Sequence, residues 1–293
     1  MVVWGHGSPA NPEDGALICR LLAWLSRVPA PADQVVGQAT MGQFTDLARL
    51  HPDGWGAAWW NGGPAPSTTR STRCAADDPG FARLRSIEAT NAALLHLRWA
   101  TPGLAVSEVN CHPFWYHDLA MAHVGTIYPL DDLDGIVPPG WDTLRRGTTD
   151  SERYALAVAA SRAGSIAGVA GGVAGGAAGC GAAGCGAAGA VADVVGRLFA
   201  GWMPTSLDAL CLTAESLVAV CAYDPETPAP VELGAPVEEY YAISYRATED
   251  VVVAASSGVD QLPDDGWQPL ANMTLLEVDR ATLAVSERSL GPG

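Results

Sequence analysis

His96-Leu97-Arg98-Trp99-Ala100-Thr101-Pro102-Gly103, Val109-Asn110-Cys111-His112-Pro113-Phe114 and Ala122-His123-Val124-Gly125-Thr126-Ile127 all lie within residues 96–127. Polar and glycine residues collect there at the ends of short apolar runs, which is the layout of a small-molecule site. Leu94 and Leu95 lead in as a strand, and Arg98 and Thr101 leave it as polar termini. Leu119 to Val124 read as a second strand that delivers Gly125 at its end. A planar guanidinium at a strand end suits bidentate capture of a carboxylate. The spacing alone fits equally well a buried arginine paired with an internal aspartate.

Working outward, short apolar runs recur at Leu17 to Leu25, Trp55 to Trp60, Ala93 to Trp99, Leu207 to Leu212 and Leu217 to Tyr223. Further runs follow at Tyr240 to Tyr245, Val251 to Ala255 and Thr274 to Val278, separated by turn signals such as Asp-Pro, Pro-Gly and Asp-Asp-Gly. Many strands are implied. Helices are expected where Asp150-Ser151-Glu152 supplies a cap and an acidic first turn, and near Val191 to Phe199. Strands, then helices, then strands again predict a layered α+β domain.

The 293 residues, 48% of them apolar, are enough for one domain with a packed core. A formal charge of −16 argues against a nucleic-acid partner, because neutralising phosphates needs clustered Lys and Arg. All the basic residues are Arg. The seven cysteines are odd in number and irregularly spaced, which fits a reducing compartment. With no basic start and apolar h-region in the first eighteen residues, a cytoplasmic location is expected. Ala163 to Ala192 is almost entirely Ala, Gly and Val, and it reads as a low-complexity insertion in a surface connection. It is too poor in Leu, Ile and Phe, and too rich in glycine, for a membrane span, so no membrane partner is expected.

No metal site is expected. His96, His112, His117 and His123 with Cys111 lack the paired spacings of zinc ligands, and Cys180 and Cys185 have no histidine near them. His112 and His123 read as structural residues that order turns. No Gly-x-Ser-x-Gly elbow or phosphate-binding loop occurs.

Six segments occur in a familiar order: Ile18-Cys19-Arg20-Leu21-Leu22-Ala23-Trp24-Leu25, His51-Pro52-Asp53-Gly54-Trp55-Gly56, the His96 and Asn110 motifs, His123-x-Gly125-x-Ile127 and Thr149-Asp150-Ser151-Glu152. In these the chain resembles a class II glutamine amidotransferase of the N-terminal-nucleophile (Ntn) hydrolase superfamily. The resemblance implies a four-layer αββα sandwich of mostly antiparallel strands over residues 19–290, with residues 1–18 as a leader or a mis-assigned start. It also implies that Cys19 is the nucleophile, with its own α-amino group as general base. By the same resemblance Arg98 clamps the α-carboxylate of glutamine, Trp99 and Thr101 line that turn, and Asp150 holds the α-ammonium. From local sequence alone Asp150 is equally a helix N-cap. Attack on the side-chain amide of glutamine would give a cysteine thioester and release ammonia, attack on a γ-glutamyl compound would release the corresponding amine, and water would then release glutamate. No cofactor is implied. The ammonia would be lost or passed to a separate ammonia-accepting synthase, and a stand-alone γ-glutamyl amide hydrolase would need no such partner.

Two departures stand out. Cys19 follows eighteen residues, so as written its nitrogen is an amide without useful basicity; proteolysis of the leader, a start near Ile18, or loss of catalysis would each account for this. The family's His-Asn-Gly, whose Asn side chain and Gly amide form the oxyanion hole, reads His123-Val124-Gly125 here. Gly125 keeps its backbone N–H, Thr126 or Asn110 is a candidate substitute donor, and a slowed enzyme is expected. The alternative is a non-catalytic glutamine- or glutamate-binding or regulatory protein on the same fold.

Overall fold

Along β1 (Arg20–Ala30), Leu21, Ala23 and Leu25 enter one apolar core while Leu22 and Trp24 enter another. Successive side chains of a strand point to opposite faces, so a strand buried on both needs a layer on each side. The computed structural model describes residues 19–86, 88–101, 103–164, 185–227 and 236–291. After β1 come α1 (Ala32–Val35), α2 (Gln38–Leu47), β2 (Trp55–Trp59), β3 (Ser67–Ser71), α3 (Pro79–Ser86) and β4 (Thr90–Leu97). Then follow β5 (Phe114–Tyr116), β6 (Leu119–Val124), β7 (Ile127–Tyr128), α4 (Asp150–Arg162), α5 (Ala187–Gly201), β8 (Met203–Pro204), β9 (Asp208–Leu212) and β10 (Ser216–Cys221). The last elements are α6 (Val237–Tyr240), β11 (Ile243–Ala247), β12 (Val251–Ser256), β13 (Trp267–Pro269), β14 (Thr274–Asp279) and β15 (Val285–Ser289).

The strands form a seven-stranded sheet in the order β13-β11-β12-β1-β4-β2-β3 and a six-stranded sheet in the order β15-β14-β10-β9-β6-β5, with β7 and β8 as a small ribbon. Pairing in both large sheets is antiparallel. One apolar layer, with Leu21, Leu94, Val124, Leu210 and Ala254, lies between the sheets. A second, with Trp24, Met41, Phe44 and Phe81, joins the seven-stranded sheet to α1, α2 and α3. A third, with Met121, Tyr154, Val158, Val191 and Val195, joins the six-stranded sheet to α4 and α5. The fold is the α+β, four-layer αββα sandwich expected from the sequence.

Three local differences have physical causes. Tyr240 ends α6 and the strand begins only at Ile243, since Pro236 opens a helical turn there. Thr149, not Asp150, caps α4: its side chain accepts the Glu152 N–H, and Asp150 is the first helical residue. α5 starts at Ala187, inside the Ala/Gly-rich run, and buries Ala187, Ala188, Ala190 and Val191 in the outer core. That end of the run is therefore core and not a surface connection, because small side chains let two helices approach closely. Residues 165–184, with the remainder of the insertion, and residues 1–18 lie outside the described residues. Among the described residues no helix is long and apolar enough to cross a membrane.

Candidate active site

Register builds the site. Leu21 pairs with His96 and Arg20 with Leu97 in the β1–β4 ladder, so one further step sets Cys19 across from Arg98 at the open ends of both strands. The sulfur of Cys19 meets the next residue directly. Trp99 N–H donates to Cys19 Sγ at 3.3 Å, and the thiol donates to Trp99 O at 3.4 Å. Burial pushes the Cys19 thiol up to about 11, opposed by the Trp99 backbone and the charges of Arg98 and Arg20.

The turn after β4 is fixed by the segment before β2. Arg98 N–H donates to Gly54 O at 2.8 Å, Asp53 N–H donates to Arg98 O, and Asp53 Oδ2 accepts the Ala100 N–H at 2.8 Å. Gly54 is required there: its φ is 127°, and a Cβ would come within 2.5 Å of Ser71 O. The Arg98 guanidinium is 3% exposed. Its Nη2 donates to Ala105 O at 3.2 Å, the Cys111 thiol lies beside it, and Nη1 has no hydrogen-bonding oxygen or nitrogen among the described residues. A buried guanidinium nitrogen left unpaired costs about 1–3 kcal/mol or more, so the site is suited to an anion. Thr101 O accepts the Leu104 N–H and so shapes the same turn.

On the facing sheet, β6 runs out at Val124, which is buried in the layer between the sheets against which Cys19 also packs. Gly125 follows at φ 138°, and a Cβ on it would sit 2.1 Å from Ser206 O. Its amide N–H makes no hydrogen bond among the described residues. Just beyond, Asp150 Oδ2 accepts the Ile127 N–H at 2.8 Å. The Asp150 carboxyl is thus tied to the strand end that carries Gly125. The His123 ring bridges Ser151 Oγ and Ser206 O, each at 2.9 Å, as a structural residue would. Asn110 is committed elsewhere: it accepts from Thr148 N–H and donates to Ala105 O and Thr148 Oγ1. The Thr126 N–H donates to Thr205 Oγ1 at 3.0 Å.

The structure therefore brings Cys19, Arg98 and Trp99 together at the ends of β1 and β4, and bonds Asp150 to Ile127, two residues beyond Gly125. Sequence reasoning missed Arg20, Asp53 as a positioning group, and Ser206. Arg20 is buried, donates to Cys19 O at 3.2 Å and stacks over the Tyr240 ring. The only available signal for Asp53 was its place in the Asp53-Gly54 turn, and for Ser206 there was none, because its role is set across strands.

Comparison with known proteins bears on the fold. Residues 18–158 match the sequence model of the family "Glutamine amidotransferases class-II". A glutamine amidotransferase class-II domain protein from Silicibacter pomeroyi superposes with a TM-score of 0.60 at 18% identity, covering 94% of this chain and 100% of the other. The glutamine phosphoribosylpyrophosphate amidotransferase of B. subtilis superposes at 0.57 with 12% identity, over 94% of this chain and 50% of that one. A predicted glutamine amidotransferase from Pseudomonas aeruginosa gives 0.51 at 15% identity, over 89% and 98% of the two chains. No curated protein sequence matches the chain. Residues 18–158 thus carry the sequence pattern of the class II glutamine amidotransferases, and the described residues share the fold of these structures.

Proposed function

We propose that the protein is an amidohydrolase that cleaves the side-chain amide of glutamine or a γ-glutamyl compound through a thioester on Cys19. The observation that carries this reading is the ladder that sets Cys19 across from a buried, incompletely paired Arg98, with the Trp99 N–H on the sulfur. A thiol near 11 is only about 10⁻⁴ ionised at neutral pH, so attack needs a base at the sulfur. A free α-amino group on Cys19 supplies it, which requires that residues 1–18 be absent from the working enzyme. Arg98 then takes the α-carboxylate, with Trp99 and Thr101 along the turn, Asp150 takes the α-ammonium, and the Gly125 amide faces the developing oxyanion. Sulfur attacks the amide carbon, the amine proton passes to the leaving nitrogen, ammonia departs, and water cleaves the thioester to glutamate. The ammonia is lost or taken by a separate synthase.

The test is a chain that begins at Cys19, assayed for glutamate release from glutamine, with ammonia, and from γ-glutamyl amides, with the corresponding amine. Turnover abolished by Cys19→Ser supports the reading, and the mass of the protein from its native host should correspond to a start at Cys19. Turnover that survives Cys19→Ser removes the mechanism.

A second reading is favoured by one specific observation. Val124 is buried among apolar side chains and donates nothing where the family has a donor. Loss of one oxyanion donor costs about 10²–10³ in rate. On this reading the protein is a non-catalytic binder or sensor of glutamine or glutamate. Calorimetric titration that shows binding without turnover, lost in Arg98→Ala, would select it.

A further inference from the structure

Between the two sheets lies a carboxyl group that the mechanism above does not use. Asp208 opens β9 directly across from Val124, and in an antiparallel pair opposed side chains share a face. It is 1% exposed. Its Oδ1 accepts the Ala222 N–H at 2.7 Å, the Leu207 N–H between it and Ser206 donates to Ala222 O at 2.7 Å, and Ser206 Oγ accepts the Asp208 N–H at 2.9 Å. Ser206 is the residue on which Gly125 rests: a Cβ at Gly125 would meet Ser206 O at 2.1 Å and Ser206 Cβ at 3.0 Å. The same Ser206 carbonyl is bonded by His123, and its neighbour Thr205 donates to Thr126 O at 2.8 Å.

We propose that Asp208 is a positioning residue for the Gly125 amide: its carboxyl group braces the Ser206 turn against which Gly125 packs. This rests on the reading of Gly125 as an oxyanion donor given above. The titratable groups around Asp208 are Cys221 from the end of β10 and Tyr223 and Tyr241 beyond it in the same inter-sheet layer, with Tyr154 of α4 across the sheet and His123 on the far side of Ser206. Tyr154, Cys221, Tyr223 and Tyr241 are all held neutral at pH 7. Burial accordingly pushes the Asp208 carboxyl well above the usual carboxylate range. A neutral carboxyl can hold a turn between two apolar sheets without a counter-charge, whereas an ionised one forces rearrangement.

The test uses the chain that begins at Cys19. Asp208→Ala should lower kcat by about 10- to 100-fold, the scale of a small misplacement of a reacting group, with KM little changed. Asp208→Asn, which is neutral and keeps the acceptor, should recover most of the loss. The parent should show an alkaline fall in kcat as Asp208 ionises, and Asp208→Asn should remove it. Hydrogen exchange gives an arm independent of turnover: the Gly125 amide should exchange faster in Asp208→Ala than in the parent or in Asp208→Asn. Where Asp208→Ala does not fold, Ser206→Ala severs the same brace and should show the same two effects. Unchanged kcat and unchanged exchange in the brace variants would overturn the proposal, as would an Asp208→Asn protein damaged as much as Asp208→Ala. A parent protein with no turnover would sink the oxyanion reading of Gly125, while the exchange arm still decides the brace.

Discussion

Valine at position 124 limits the mechanism proposed above. Its side chain packs between the sheets, so in that mechanism the Gly125 amide meets the oxyanion without a side-chain partner from β6. Asn110 is already bonded to Thr148 and Ala105, and the Thr126 N–H donates to Thr205 Oγ1. Val124→Asn is expected to raise kcat for glutamine by about 10²-fold, measured by initial rates at saturating substrate. The same change puts an amide in an apolar layer, and it should lower stability by about 1–3 kcal/mol unless the amide is satisfied. A faster but less stable enzyme is therefore the expected outcome. An unchanged rate in a folded Val124→Asn protein would show that the missing donor does not limit catalysis.

At the scale of elements, the start of α4 holds one wall of the site through two acidic residues with different duties. Asp150 bonds the strand end at Ile127, while Glu152, 1% exposed, accepts from Tyr116 O–H, Arg146 N–H and Gly147 N–H at 2.7–2.9 Å. Thr149-Asp150-Ser151-Glu152 has the spacing of a capping box, and Thr149 fills the cap. The Glu152 carboxylate, however, reaches to the incoming loop instead of the cap N–H. Thr149→Ala should thus cost about 1 kcal/mol in urea unfolding. Glu152→Ala strands three donors and should cost at least about 3 kcal/mol. Equal losses from the two would mean that the helix cap, and not the carboxylate, anchors this wall.

The whole molecule has a pH optimum of stability that follows from opposed buried groups. His96, His112 and His123 are buried, and burial holds all three below the ordinary histidine range, His96 and His112 well below. Above the unfolded value of about 6.5 they are neutral in both states and contribute nothing. As pH falls through about 6.5 the unfolded chain takes up three protons that the folded one refuses, and stability is lost until the depressed folded values are reached. Asp208 has the opposite sign, with a raised folded value. It holds a proton in the folded state that the unfolded chain has released, so stability declines as pH rises above the ordinary carboxylate range. Three histidines outweigh one aspartate below about pH 6, and the aspartate alone acts above about pH 7, so stability should peak near about pH 6.5–7. Urea midpoints measured from about pH 5 to about pH 8 check this, and a flat profile would contradict it.

The sequence by itself determined the strands that carry unbroken apolar runs, because a strand buried on both faces can tolerate little else: β6 at Leu119–Val124 is read without error. It also determined that Arg98 and Gly125 follow directly on strands and that Asp150 stands at the start of a helix, together with the family motifs around them, since these depend on neighbours in sequence. The helices α1 to α3 were not legible, for Met41 and Phe44 are the only large apolar residues that α2 buries, and its start at Gly37 has no side-chain cap. Only the tertiary structure decided what meets across the ladder and between the sheets: the Trp99 N–H on Cys19, Ser206 beneath Gly125, and Asp208 across from Val124. Local pattern fixes which face a side chain takes, but register and sheet stacking are settled by packing summed over the whole chain, and no short stretch of sequence contains that sum.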